Sequence, residues 1–129
     1  MSNHVHCILS APNGNLSGII RDMKSFTSKK IIREVQQGAE SRRDWLLMIS
    51  RYAAGGHARN DEFQVWTHDN HPEELYSRKF FRQKMNYIHF NPVKAGWVYE
   101  PHHWIYSSAA DYFYGQQTGA VKISLLDVV

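Results

Sequence analysis

Tyr87 and Asn91 stand four residues apart in the stretch Lys84-Met-Asn-Tyr-Ile-His-Phe-Asn-Pro-Val-Lys-Ala-Gly96. On a helix this spacing puts a phenol and an amide on one face. Near the start of the chain, Asn3-His-Val-His-Cys-Ile-Leu9 carries two imidazoles two residues apart. Laid out as a strand, His4 and His6 project to the same side and can both reach one cation. An amide oxygen from a facing helix can complete three protein ligands, leaving the remaining positions open to a substrate. The chemistry such a set can do is attack by an activated hydroxyl on a substrate held at a cation.

Two elements must position these groups. Phe81, Met85 and Ile88 recur at helical spacing and give a docking stripe beside which Tyr87 stands. Pro92 disfavours helical geometry at the residue before it, so the spacing predicts a helix ending at Asn91, with Gly96 as a second stop. The other element is the predicted strand, with His4, His6 and Ile8 on one side and Val5, Cys7 and Leu9 on the other. Cys7 is expected to be buried with its apolar neighbours. His89 lies off the Tyr87–Asn91 face at about 100° per residue and is not expected to be a ligand.

These residues, with Phe63-Gln-Val-Trp66, His71-Pro-Glu73 and Trp104-Ile-Tyr-Ser-Ser108 in that order along the chain, resemble the REP-associated tyrosine transposases of the one-tyrosine HUH family. The resemblance implies an α+β, ferredoxin-like HUH fold: an antiparallel sheet with helices packed on it. It implies a nucleophilic Tyr87, with Mg²⁺ or Mn²⁺ at His4, His6 and Asn91. It also implies cleavage and rejoining of single-stranded DNA through a 5′-phosphotyrosine, usually at hairpin-forming repeat ends. Family members carry a strand-helix-strand unit ahead of the His-x-His strand, whereas Met1 here lies two residues before Asn3. The expectation is therefore a partial domain over residues 1–129, truncated at its N-terminus, with strands only at 3–9, 63–66 and 121–126. So thin a sheet would be completed by a second copy of the chain.

The 129 residues suit one domain, and the net charge of +3 is compatible with a polyanionic partner without demanding one. A single cysteine excludes an intrachain disulfide and fits a reducing cytoplasm. No apolar run reaches transmembrane length. Leu16, Ile19, Ile20, Met23, Phe26, Ile31 and Val35 predict a long amphipathic helix ending near Gly38, and Trp45, Leu46, Met48 and Ile49 a second over 42–52. A loop follows over 55–61, and His71-Pro72-Glu73 reads as the entrance to the central helix. Lys24, Lys29, Lys30 and Arg33 on the first helix, and Arg78, Arg82 and Lys84 on the central one, are candidate phosphate contacts. Ser25, Thr27 and Ser28 can add neutral donors.

Two other functions fit some of these residues. A DNA-binding remnant without chemistry is the main alternative, because the missing upstream unit would leave the histidine strand unsupported. A zinc hydrolase lacks His-Glu-x-x-His and has only one cysteine.

Overall fold

The structure, a computed structural model, describes residues 3–56, 62–119 and 121–126. Its elements are α1 (Leu16–Gln37), α2 (Arg43–Gly55), α3 (Arg78–Lys94), a 3₁₀ turn (Pro101–His103) and α4 (Ala109–Tyr114). Among the described residues there is no strand, so the expected α+β ferredoxin-like sheet is corrected to an all-helical chain. The reason lies in where the backbone groups of the three expected strands go. Residues 3–9 are irregular and form no ladder with the other described residues. In the second segment the Gln64 N–H bonds the carbonyl of Ser50 at 2.9 Å, and the Gln64 side chain caps the Trp66 carbonyl at 2.9 Å. In the third, Gln117 Nε2 reaches the Ile123 carbonyl at 2.8 Å, and the Leu126 N–H donates to the Tyr112 hydroxyl at 3.2 Å. Backbone groups already satisfied by a helix end or a side chain do not build a ladder. Residues 57–61 of the expected 55–61 loop lie outside the described residues.

The described chain divides into two compact units. In the first, residues 9–72, α1 starts where the Asn15 side chain accepts the Gly18 N–H at 3.2 Å. A Cβ at Gly18 would stand 2.6 Å from the Asn15 amide and displace that cap. The carbonyls left open at the far end of α1 are taken by Arg43, which donates to Val35 at 3.1 Å and Gly38 at 2.6 Å. The stretch after α2 is tied back to α1: Trp66 Nε1 donates to Thr27 Oγ1 at 2.8 Å, and Lys24 Nζ to the Thr67 carbonyl at 2.8 Å. The apolar faces of both helices are nonetheless far from covered, with Phe26 67 % and Met48 59 % exposed.

The second unit, residues 3–8 and 73–126 of those described, is built around α3. The helix does not begin at His71-Pro72 but at Ser77, whose hydroxyl accepts the Phe80 N–H at 3.2 Å. Nor does it stop at Asn91; it runs through Pro92 to Lys94. The proline removes one donor, that to the carbonyl four residues back, and the carbonyls left open where the helix ends are taken by the turn that follows. Gly96, at φ +72°, donates to Val93 at 2.9 Å, and Trp97 to Pro92 at 3.0 Å. This pair of bonds is the Schellman arrangement, for which the left-handed glycine is suited. Met85, His89 and Pro92 form the buried face of α3. His89 bonds Ser108 Oγ at 2.9 Å and lies against the Tyr112 ring, joining α3 to α4. Asp111, 1 % exposed, accepts the N–H groups of Thr118 and Gly119 and so fixes the chain after α4.

Candidate functional site

The Tyr87 ring and both N-terminal imidazoles meet within this second unit. The His6 ring stands edge-on to Tyr87 with 5.5 Å between centroids, and His4 edge-on to His6 at 4.9 Å. Tyr87 is on α3 because its neighbours Met85 and His89 face inward, which turns the phenol to the margin of the buried stripe. There it is 48 % exposed, open to a polymeric substrate. Asn91 lies one turn further along the same helix face, about 6 Å along the axis.

The geometry is compatible with a pair of imidazole donors. The Asn3 side-chain oxygen contacts His4 Nδ1 at 2.7 Å, which leaves Nε2 for a ligand and orients the ring. Burial, and then the charge on His4, hold His6 below an imidazole's ordinary value, which favours the neutral form that ligates. Among the described residues no cluster of three His, Cys, Asp or Glu side chains could hold a metal ion. A third protein donor would have to come from another residue type, and the Asn91 side chain, one turn along α3 from Tyr87, carries an amide oxygen of the kind. Its Nδ2 is buried without a hydrogen-bond partner. A buried orphan of this kind calls for a partner, and an amide turned over presents its oxygen in place of its nitrogen. Two imidazoles with an amide oxygen are a donor set of the mixed nitrogen and oxygen kind that Mg²⁺ or Mn²⁺ accepts.

One residue beside the phenol was not singled out by spacing. Lys94 Nζ lies 5.9 Å from the centroid of the Tyr87 ring. It is seven residues on, two turns along the helix, and becomes a neighbour of Tyr87 only because α3 continues through Pro92. Cys7, expected among apolar neighbours, is exposed. His89 points into the α3–α4 contact, away from Tyr87's open side.

The expected phosphate contacts divide between the units. Lys24, Lys29, Lys30 and Arg33 belong to the unit of residues 9–72, where Lys29, Lys30 and Arg33 are exposed and Lys24 is engaged with the Thr67 carbonyl. Thr27 is occupied as well, accepting from Trp66 and donating to the Met23 carbonyl at 2.7 Å. Arg78, Arg82 and Lys84 belong to the unit that carries Tyr87. Of these, Lys84 forms an ion pair with Glu73 at 2.7 Å and lies over the Phe80 ring. No helix of the described residues is long and apolar enough to cross a membrane. No family model, curated protein or solved structure matches this chain.

Proposed function

We propose that this chain cleaves and rejoins single-stranded DNA through Tyr87, the chemistry of the REP-associated tyrosine transposases, carried here on an all-helical frame. The observation that supports it is the edge-on contact between His6 and Tyr87, with His4 against His6. Tyr87 Oη attacks the phosphorus of a phosphodiester, the bond from phosphorus to the 3′ oxygen breaks, and that oxygen leaves as a free 3′-hydroxyl. The DNA 5′ phosphate is then esterified to the tyrosine. In the reverse sense a 3′-hydroxyl attacks the phosphotyrosine and the phenol is returned, so the bond is exchanged and no nucleotide triphosphate is consumed. The Lys94 ammonium stands 5.9 Å from the centre of the Tyr87 ring, a cation beside the place where negative charge gathers as the phosphorus is attacked. His4, His6 and Asn91 would hold Mg²⁺ or Mn²⁺, which when bound neutralises the charge on the non-bridging phosphate oxygens.

A second reading, DNA binding without chemistry, has one observation in its favour: residues 3–9 pair with no strand, so no ladder holds His4 and His6 in place. Incubation of the chain with a hairpin oligonucleotide and Mn²⁺, followed by denaturing gel electrophoresis, separates the two. A covalent adduct lost in Tyr87→Phe supports strand transfer. Binding with no adduct supports the second reading, and cleavage that persists in Tyr87→Phe rejects the tyrosine as nucleophile. A second copy of the chain is the partner that the half-covered apolar faces would accept, and sedimentation equilibrium tests it.

A further inference from the structure

Helix α2 is apolar on two opposite sides. Leu46, Leu47 and Ala54 lie on the inner side, in the unit of residues 9–72, with Ala54 buried and the two leucines half-buried. Trp45, Met48, Ile49 and Tyr52 lie on the outer side, 52 %, 59 %, 40 % and 87 % exposed. At about 100° per residue these four fill an arc of roughly 100°, and no other residue of α2 falls within it. Arg43, near the start of the helix, is drawn away to the carbonyls of Val35 and Gly38. A stripe of this width is what a surface helix ordinarily turns to a core, yet here it is the open side.

The spacing of the four residues identifies a cover. Positions 45, 48, 49 and 52 read the same from either end, so a two-fold axis across the helix between Met48 and Ile49 lays the stripe on its own copy. Trp45 then meets the partner's Tyr52, and Met48 the partner's Ile49, each contact made twice, which is the self-complementary pattern of an isologous interface. The charges agree with this register. Asp44 and Arg51 share one edge of the stripe, and the antiparallel pairing sets Arg51 about 3 Å along the axis from the partner's Asp44. Arg51 holds Glu62 with Nε and one terminal nitrogen, which leaves the other terminal nitrogen for this contact. Aromatic side chains offer roughly 200 Å² each, so the exposed parts of the four residues amount to about 500 Å² on one copy and ~1,000 Å² in the pair, the size at which specific interfaces begin. We infer that α2 pairs antiparallel with α2 of a second copy, burying Trp45, Met48, Ile49 and Tyr52 at a two-fold axis. The pairing gives the second copy considered above a surface and a register, and it does not rest on the chemistry of Tyr87.

Sedimentation equilibrium of the full chain without DNA tests it. The chain is expected to be dimeric by about 100 μM, and Met48→Glu, which puts a carboxylate without a partner at the axis, to weaken dimerisation at least roughly tenfold. Lys122→Glu, outside α2, is expected to leave it unchanged. Cross-linking reads the register. In a Cys7→Ser background, Ile49→Cys places two thiols beside the axis and is expected to give a covalent dimer with a short bis-maleimide, whereas Lys122→Cys is not. Should Met48→Glu fail to fold by circular dichroism, the cross-link decides. A chain that stays monomeric at about 100 μM overturns the pairing, as does a dimer that folded Met48→Glu leaves intact, or an Ile49→Cys chain that does not cross-link. The adduct assay fails separately: a monomer that forms the Tyr87 adduct removes the pairing alone, and a dimer that never forms it removes strand transfer alone.

Discussion

The His6 imidazole stands edge-on to the Tyr87 ring at 5.5 Å, joining the beginning of the chain to the middle of α3. Closing so long a loop carries an entropic cost, and in this unit the contact brings an exposed, neutral-leaning imidazole to an accessible phenol. Substituting either residue separates metal holding from attack. His6→Ala is expected to abolish both Mn²⁺ binding, read from the free-ion electron paramagnetic resonance signal, and the DNA adduct. Tyr87→Phe is expected to abolish the adduct and keep the ion. Equal Mn²⁺ affinity in His6→Ala and the unaltered chain would remove His6 from the ligand set.

Lys94 offers a test of the phenol's surroundings. Its ammonium lies 5.9 Å from the Tyr87 ring centre at an exposed site, where such a cation contributes about 0.5–1 kcal/mol. Lys94→Met is expected to slow single-turnover adduct formation by roughly 2- to 5-fold, since the cation beside the attacked phosphate is then lost. A rate equal to that of the unaltered chain would show that the charge plays no part in the attack.

Two histidines set a pH dependence of stability with the same sign. Burial lowers His89, and burial together with the His4 charge lowers His6, from an ordinary value of 6.5. Between the folded values and 6.5 the unfolded chain binds more protons, so stability rises with pH across that window and falls on acidification. The midpoint of thermal unfolding is expected to drop between pH 7.5 and 5.5, and to drop less in His89→Gln, which keeps a side chain able to bond Ser108. A midpoint independent of pH over this range would contradict the burial of His89.

Asp111 acts in the acid range. The Thr118 N–H first, and then that of Gly119, hold its carboxyl below the usual carboxylate value. Its contribution is therefore complete above about pH 4 and is lost as the pH falls through the lower folded value. Asp111→Asn is expected to lower the melting midpoint by several degrees at pH 7 and to flatten the remaining acid limb. Proteolysis should then open the chain after α4 first, because the two N–H groups bonded to one carboxylate oxygen lose a charged acceptor.

Trp66 tests the tie between the stretch after α2 and α1. Its indole donates to Thr27 Oγ1 at 2.8 Å, and Trp66→Phe removes the donor while keeping an aromatic ring. A loss of about 1 kcal/mol in urea unfolding is expected, with a larger loss in Thr27→Val, which leaves the indole N–H without its acceptor. The opposite order would mean that the bond carries none of the stability.

The sequence by itself determined where the long helices form and supplied the residues proposed for the site. Apolar residues at helical spacing from Leu16 to Val35 gave α1 its bounds within a few residues, because periodicity and the flanking Asn15 and Gly38 act locally. The spacing of Tyr87 and Asn91 is likewise a property of any helix that holds both. Tertiary structure decided the rest. Whether residues 3–9, 63–66 and 121–126 become strands depends on neighbours to pair with; backbone groups of the last two are bonded elsewhere, and 3–9 are irregular. Pro92 reads locally as a stop, yet its missing N–H removes only the one bond to the carbonyl four residues back, and the helix passes through it, closes in the turn of Gly96 and Trp97 and carries Lys94 to the phenol. The approach of His6 to Tyr87 is likewise non-local: no spacing encodes it, and packing around α3 produces it.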